Sequence, residues 1–238
     1  NRLYYLKMDI RNFFVSIQKD ILEALLIKRI PCDWTRALTL QVLHHDPTSN
    51  YVISGNAANL AYVPAHKSLF NAPQFMGLPI GNLSSQFFAN VYMDVLDQFV
   101  EHKIRPRGYV RYVDDFILVD RDIELLKAAK DEIEQHLWQE LNLVANPTKT
   151  ELNTVYSGVD FVGRIIKPHR TIPRATLVKN AYQKLRRGEA TAEGLTSTLG
   201  LLRQSKSFYT RKNLCRQALR HGFAVDWHGT KVMEVRKQ

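Results

Sequence analysis

Long hydrophobic runs are missing from this chain of 238 residues; no apolar stretch approaches the ~18 residues a membrane span requires. No charged n-region followed by an apolar stretch and small cleavage residues is visible, so the sequence shows no secretory signal. Cysteine is scarce: Cys32 and Cys215 lie far apart and form no CxxC pattern. They support neither a zinc site nor a disulfide framework, and a reducing cytoplasm suits them. Internal repeats and low-complexity segments are also absent. Acidic residues run out towards the C-terminus. Residues 1–163 hold 16 Lys+Arg and 19 Asp+Glu, whereas residues 164–238 hold 17 Lys+Arg and 4 Asp+Glu. That split predicts a chemical domain joined to one that grips polyanions, although a solvated basic face would look the same. A hydrophobic content of 45% and a charged content of 24% describe an ordinary globular chain, long enough for one large domain or two small ones.

The most informative stretch runs from Tyr109 to Asp120. Two short runs rich in β-branched and aromatic residues flank Asp114-Asp115, which predicts a β-hairpin with two carboxylates at its turn. Asp is a common turn residue, so the pair alone does not decide the matter. Two adjacent carboxylates do resist joint ionisation unless a cation compensates them. A third carboxylate, Asp9, follows the predicted strand Leu3–Met8. If neighbouring strands of one antiparallel sheet carry all three, they meet at one edge. Oxygen donors of this kind suit Mg²⁺, and two such ions bracketing a phosphate would serve nucleotidyl transfer.

Between these elements, helices are predicted over Asp20–Arg29 and from Asp33, as N-cap, to about His45. Asp46–Phe75 reads as loop, with a short strand expected at Thr48–Ile53. The turn Gly77–Gln86 runs into a helix that Ser84 or Ser85 would cap, with Phe88, Val91, Val95 and Phe99 as a core stripe. An amphipathic helix is predicted over Ile123–Leu141, with Leu126, Ile133, Leu137 and Leu141 inward. Strands are expected at Leu143–Ala145 and Leu152–Val155, and a hairpin at Ser157–Ile166. Helices follow at Arg174–Arg187, Ala192–Gln204 and Tyr209–His221. The composition shift, with Pro168 and Pro173, predicts a domain boundary near residue 170.

Several of these strings resemble the motifs of reverse transcriptases. Tyr112-Val113-Asp114-Asp115 resembles their Y-x-D-D box, and Asp9 with Phe13-Phe14 is similar to their first palm motif. Gly77–Gln86 looks like the loop-helix motif that contacts template and incoming nucleotide. Asn146-Pro147-Thr148-Lys149-Thr150 and Phe161-Val162-Gly163 sit where that family places its lysine motif and primer grip. The string Leu78–Gln86, with Ile80 before Gly81 and the ending Ser85-Gln86, is similar to the form in enzymes of diversity-generating retroelements. His45-Asp46-Pro47 and Pro64–Phe70 strengthen that likeness.

The resemblance implies an α+β fold: a polymerase palm, an antiparallel sheet with helices on one face, over residues 1–170, with partial fingers elements in 33–75. A basic helical thumb would occupy 171–238, and most of the fingers region is expected to lie outside this sequence. The implied activity is RNA-directed DNA synthesis with two Mg²⁺ ions, error-prone and templated by a repeat RNA. The implied partners are template RNA, cDNA, deoxynucleoside triphosphates and a small basic accessory protein, with no membrane. Asp9, Asp114 and Asp115 would hold the metals, with the Ile10 carbonyl as an extra ligand. Phe14 would act as a steric gate against ribonucleotides, and Lys149 would serve the leaving pyrophosphate. Ile80, Gly81 and Gln86 would contact the nucleotide, and Ile80 and Gln86 would lower fidelity. Phe161, Gly163, Arg186, Arg187, Arg203, Arg211 and Lys212 would contact nucleic acid, joined by Lys206, Arg216 and Arg220. Phe208, Tyr209 and Trp227 offer stacking surfaces or core. Three alternatives stay open at this point: a retron or group II intron enzyme, a non-catalytic RNA-binding module derived from a polymerase, and a palm-like nucleotidyl cyclase.

Overall fold

The computed structural model describes residues 2–226 and 228–234. Its strands are β1 (Tyr4–Asp9), β2 (Gly108–Tyr112), β3 (Asp115–Asp120), β4 (Glu151–Thr154), β5 (Val159–Phe161), β6 (Arg164–Lys167), β7 (Arg170–Pro173), β8 (Phe223–Val225) and β9 (Val232–Glu234). Its helices are α1 (Phe13–Ser16), α2 (Lys19–Ile27), α3 (Asp33–His44), α4 (Leu83–Phe99), α5 (Ile123–Leu141), α6 (Ala175–Arg187), α7 (Ala192–Arg203) and α8 (Phe208–Arg220). The chain divides into two compact units, Asn1–Asn153 and Thr154–Gln238. Among the described residues no helix is long and apolar enough to cross a membrane, and both cysteines are free.

The first unit is built on a four-stranded sheet in the order β2-β3-β1-β4. β3 runs antiparallel to both β2 and β1. Side chains alternate between the faces of a strand, and here the two faces differ in kind. Leu6, Met8, Phe116 and Leu118 are buried on one face, in a single core with Phe88, Tyr92 and Leu96 of α4 and Leu126, Ile133, Leu137 and Leu141 of α5. Lys7, Asp9, Asp115 and Ile117 fall on the other. Helices α4 and α5 thus pack on one face, and the charged side chains lie on its opposite. α5 matches its sequence pattern throughout, because Asp122 accepts hydrogen bonds from the Glu124 and Leu125 amides and Asn142 ends the helix in the left-handed region.

Several local expectations give way. Thr48–Ile53 forms no strand: no neighbour pairs with it, Val52 is 92% exposed, and the loop is instead punctuated by 3-10 turns at Ala57–Tyr62, Ala65–Lys67 and Leu69–Asn71. The N-cap of α3 is Cys32, with Asp33 already helical, and that of α4 is Asn82; neither makes a side-chain cap. Ser85 is instead buried in the helix. Leu143–Ala145 is reduced to a single bridge between Ile10 and Ala145.

The second unit holds the antiparallel sheet β5-β6-β7, the helices α6–α8 and the hairpin β8-β9. Its core is Leu185, Leu195, Leu199, Leu202 and Leu214, with Ala181, Ala218 and Val232. The units part at residues 153 and 154, whereas composition shifts near residue 170. Hydrogen bonds explain the difference: Lys206 N donates to Thr171 O at 3.0 Å, Arg174 Nε meets Asp160 Oδ1 at 2.7 Å, and Arg164 bonds Gln204, which ties the small sheet to the helices that follow it.

Tyr92, fully buried, links α4 to the end of α5 by donating to the Leu141 carbonyl at 2.7 Å, and its oxygen receives the Gln18 amide at 3.4 Å. Burial pushes its pKa up to about 12, which keeps the hydroxyl protonated as a donor. Tyr92→Phe strands both backbone groups. It should cost about 1–3 kcal/mol in urea unfolding with an unchanged slope.

Candidate active site

Asp9 is the last residue of β1 and Asp115 the first of β3, and the antiparallel register sets them directly opposite each other. Residues so paired share a face, so both carboxylates lie on the face opposite the one packed against α4 and α5. Asp114 occupies the turn before β3. Asp9, only 6% exposed, is held from two sides: Lys149 Nζ lies 2.8 Å from its Oδ2, and Asn146 Nδ2 donates to its Oδ1 at 3.3 Å. The same loop is fastened by its backbone, since Asn146 N donates to the Asp9 carbonyl at 2.7 Å. Asp115 Oδ1 lies 3.4 Å from Lys7 Nζ, yet it is buried without a well-formed hydrogen bond.

Burial raises the pKa of Asp114, and the charges of Asp9 and Asp115 raise it further, against relief from its own backbone and Lys149. Burial likewise raises Asp115, opposed by Lys7 and reinforced by Asp9. Hydrogen bonding to Asp9 raises the pKa of Lys149, outweighing its desolvation. The site is therefore a cluster of crowded carboxylates partly neutralised by two lysines. Among the described residues no group of three or more His, Cys, Asp or Glu side chains is placed to hold a metal ion as it stands. The donor set nevertheless fits one. The three carboxylates supply hard oxygens, two are pushed towards protonation by burial and, secondarily, by neighbouring carboxylate charge, and a buried Asp115 oxygen is under-bonded.

A cavity of 260 Å³ opens on this cluster. Asp9, Ile10, Phe14, Ile80, Asp114 and Lys149 all line it. Its walls are locked together: Leu78 N donates to the Phe14 carbonyl and Gly77 N to the Ile17 carbonyl, each at 2.8 Å. Gly77 has φ +84°, a left-handed backbone that favours glycine, and a Cβ there would also meet Leu69 Cδ1 at 2.6 Å. Phe14 packs edge-on against Phe13, and Ile80 stands 76% exposed. Gly81 and Gln86 are exposed and do not line the cavity.

The remaining sequence-predicted residues belong to the second unit. Phe161 is buried in that unit, so the turn of β5 and β6 presents Val162 and Gly163 instead. Arg186, Arg187, Arg203 and Lys212 are exposed, and Arg211 is half-buried with its Nε unpartnered. Phe208 and Tyr209 are exposed and stack edge to face, which excludes a core role for them. Trp227 lies outside the described residues. Sequence reasoning gave no role to Lys7, Lys67 or Asn146. Lys7 was legible in principle, two residues before Asp9 on the same strand face. Lys67, which lines the cavity, lies in the aperiodic string Pro64–Phe70, where nothing singles it out from its neighbours.

A carboxylate whose pKa is raised by folding takes up protons as the chain folds, so stability falls as pH rises from the ordinary value of 3.8 through the folded value. Above both values the ionised Asp114 costs stability. With a chelator present, Asp114→Asn should raise the thermal midpoint by a few degrees at pH 7, and the gain should vanish as pH falls below 3.8. A midpoint gain independent of pH would contradict this origin.

The family model for reverse transcriptase (RNA-dependent DNA polymerase) matches residues 1–166. No curated protein matches the chain. Among solved structures, the telomerase of Candida albicans, in complex with a fragment of telomeric RNA, is similar at 14% identity and a TM-score of 0.48, covering 93% of this chain and 40% of its own. The apo telomerase of Candida tropicalis is similar at 16% identity and a TM-score of 0.49, covering 92% and 46%. The chain thus spans less than half the length of either telomerase. A family match over most of the sequence, falling on the unit that carries the three aspartates, means that the chain belongs to the reverse transcriptase family.

Proposed function

We propose that this chain carries the catalytic centre of an RNA-directed DNA polymerase, of the error-prone type found in diversity-generating retroelements. The observation that carries the activity is the meeting of Asp9, Asp114, Phe14, Ile80 and Lys149 around one cavity, with Asp115 in register opposite Asp9. Reverse transcriptases use divalent metal ions. Asp9, Asp114 and Asp115 would hold magnesium here. When bound, two such ions would neutralise phosphate charge and activate the primer hydroxyl. The chain's own residues do the rest. Lys149, kept protonated beside Asp9, can deliver a proton to the departing pyrophosphate. The Phe14 ring forms the wall against which a 2′-hydroxyl would clash. Lys67 has no carboxylate partner among the described residues, unlike Lys149 in the same cavity, and so is available to a triphosphate.

Two features support the subtype. Ile80 lines the cavity where a glutamine amide would hydrogen-bond, and a site with fewer polar contacts discriminates less. The loop string around it has the form of the diversity-generating enzymes. The second unit suits a polyanion: Arg186, Arg216 and Arg220 line a cleft of 440 Å³ that contains no carboxylate. On this reading that unit grips template RNA and cDNA, with a basic accessory protein as a further partner.

Primer extension on an RNA template by the full-length protein, followed by product sequencing, tests both levels. RNA-templated products with errors concentrated at template adenines are expected, and Ile80→Gln should lower the error rate severalfold. No extension would sink the polymerase reading, and an unchanged error spectrum in Ile80→Gln would remove that residue's role. Lys67→Ala should raise the nucleotide KM about 10-fold with kcat nearly unchanged.

A further inference from the structure

Tight turns between antiparallel strands usually place glycine or asparagine where the backbone turns left-handed. Between β2 and β3 that residue is Val113, at φ +60°. A β-branched side chain persists there only where its surroundings over-determine the conformation. Arg111 supplies the restraint. Its Nη1 donates to the Val113 carbonyl at 3.0 Å and to Asn90 Oδ1 at 3.1 Å. Its Nε and Nη2 meet the two oxygens of Asp97 at 2.7 and 2.5 Å, with the side chain 11% exposed. Tyr109 also donates to Asp97 Oδ1 at 2.7 Å, fixing the carboxylate from a third direction. Asn90 and Asp97 lie two turns apart on one face of α4, and the register puts Arg111 opposite Phe116, on the sheet face that α4 covers.

The Val113 carbonyl belongs to the peptide whose nitrogen is that of Asp114. The orientation of this peptide therefore sets where the Asp114 side chain begins. A planar guanidinium can serve two carboxylate oxygens, an amide oxygen and a backbone carbonyl together, which an ammonium cannot. We propose that Arg111 is a positioning residue: braced on Asp97 and Asn90 of α4, it holds the strained Val113 peptide and so aims Asp114 into the cavity it shares with Asp9. The inference rests on the polymerase reading for what the aimed carboxylate does.

Arg111→Lys in the full-length protein keeps a charge for Asp97 but cannot span all four acceptors. The readouts are Mn²⁺ affinity by titration calorimetry, thermal midpoint, and extension of oligo(dT) on poly(rA). Mn²⁺ should bind about 10-fold more weakly, and kcat should fall about 100-fold at an unchanged primer–template KM. Adding Val113→Gly to that variant should recover much of both losses, because glycine adopts φ +60° without needing to be held. An Arg111 that merely stabilised the fold through Asp97 would show no such coupling. Wild-type Mn²⁺ affinity and kcat in folded Arg111→Lys, or losses that Val113→Gly does not reduce, would overturn the proposal. Should Arg111→Lys not fold, Asn90→Ala decides: severalfold weaker Mn²⁺ binding at an unchanged midpoint supports the clamp, and wild-type values overturn it. A parent chain that neither binds Mn²⁺ nor extends primers overturns the polymerase reading and the clamp together. One that extends primers equally well with and without Arg111 overturns the clamp alone.

Discussion

Crowding of like charge on one face of a two-strand ladder is the constraint from which the rest of the first unit follows. The β1–β3 register sets Asp9 against Asp115, and Asp114 adds a third carboxylate at the turn. Left to themselves these groups would repel and slip apart. A slip of one residue, however, would turn Met8 and Phe116 out of the core and Lys7 and Asp9 into it. The apolar face therefore pays for the charged one, and Lys7 and Lys149 temper the repulsion at short range. The face packed against α4 and α5 fixes geometry, and the opposite face carries chemistry.

The same division explains why α4 matters beyond its share of the core. Its inward face packs on the sheet through Phe88, Tyr92 and Leu96. Its Asn90 and Asp97 hold Arg111, and through it the turn before Asp114. The loop preceding α4 carries Ile80. One helix thus bears on both sides of the cavity, through a guanidinium at one end and a loop at the other.

What the sequence disclosed follows from how local each signal is. α5 could be read to the residue because its cap, its 3.6-residue period and its αL terminus are all written within the helix. The hairpin that carries Asp114 at its turn and Asp115 at the start of β3 is legible because two β-rich runs flank the pair. Thr48–Ile53 has the composition of a strand but nothing to pair with, and strand formation is decided by a partner rather than by propensity. The α3 and α4 helices each start earlier than their polar cap candidates: Asp33 is already helical, and so are Ser84 and Ser85, of which Ser85 is buried. Asp9 was found through its place after a strand and its family motif, yet its partners Lys149 and Asn146 lie more than 130 residues away. The unit boundary near residue 153 was hidden because three hydrogen bonds, not composition, bind the small sheet to the later helices.

The rigidity of the cavity wall bears on how substrate choice would arise. Phe14 and the loop before Ile80 are not independent, since Leu78 and Gly77 bond the backbone of the α1 segment directly and Gln18 bridges Met76. A mobile loop could lower discrimination by sampling many positions. This one is tied at three successive residues, and its Gly77 takes a left-handed backbone that favours glycine. On the proposed reading, reduced discrimination at such a site would come from which atoms Ile80 presents. An aliphatic side chain on a fixed seat offers shape without a donor or acceptor, so mispaired and paired nucleotides of similar shape would meet nearly the same surface. On the proposed reading, low fidelity on this architecture would be a property of surface chemistry rather than of looseness.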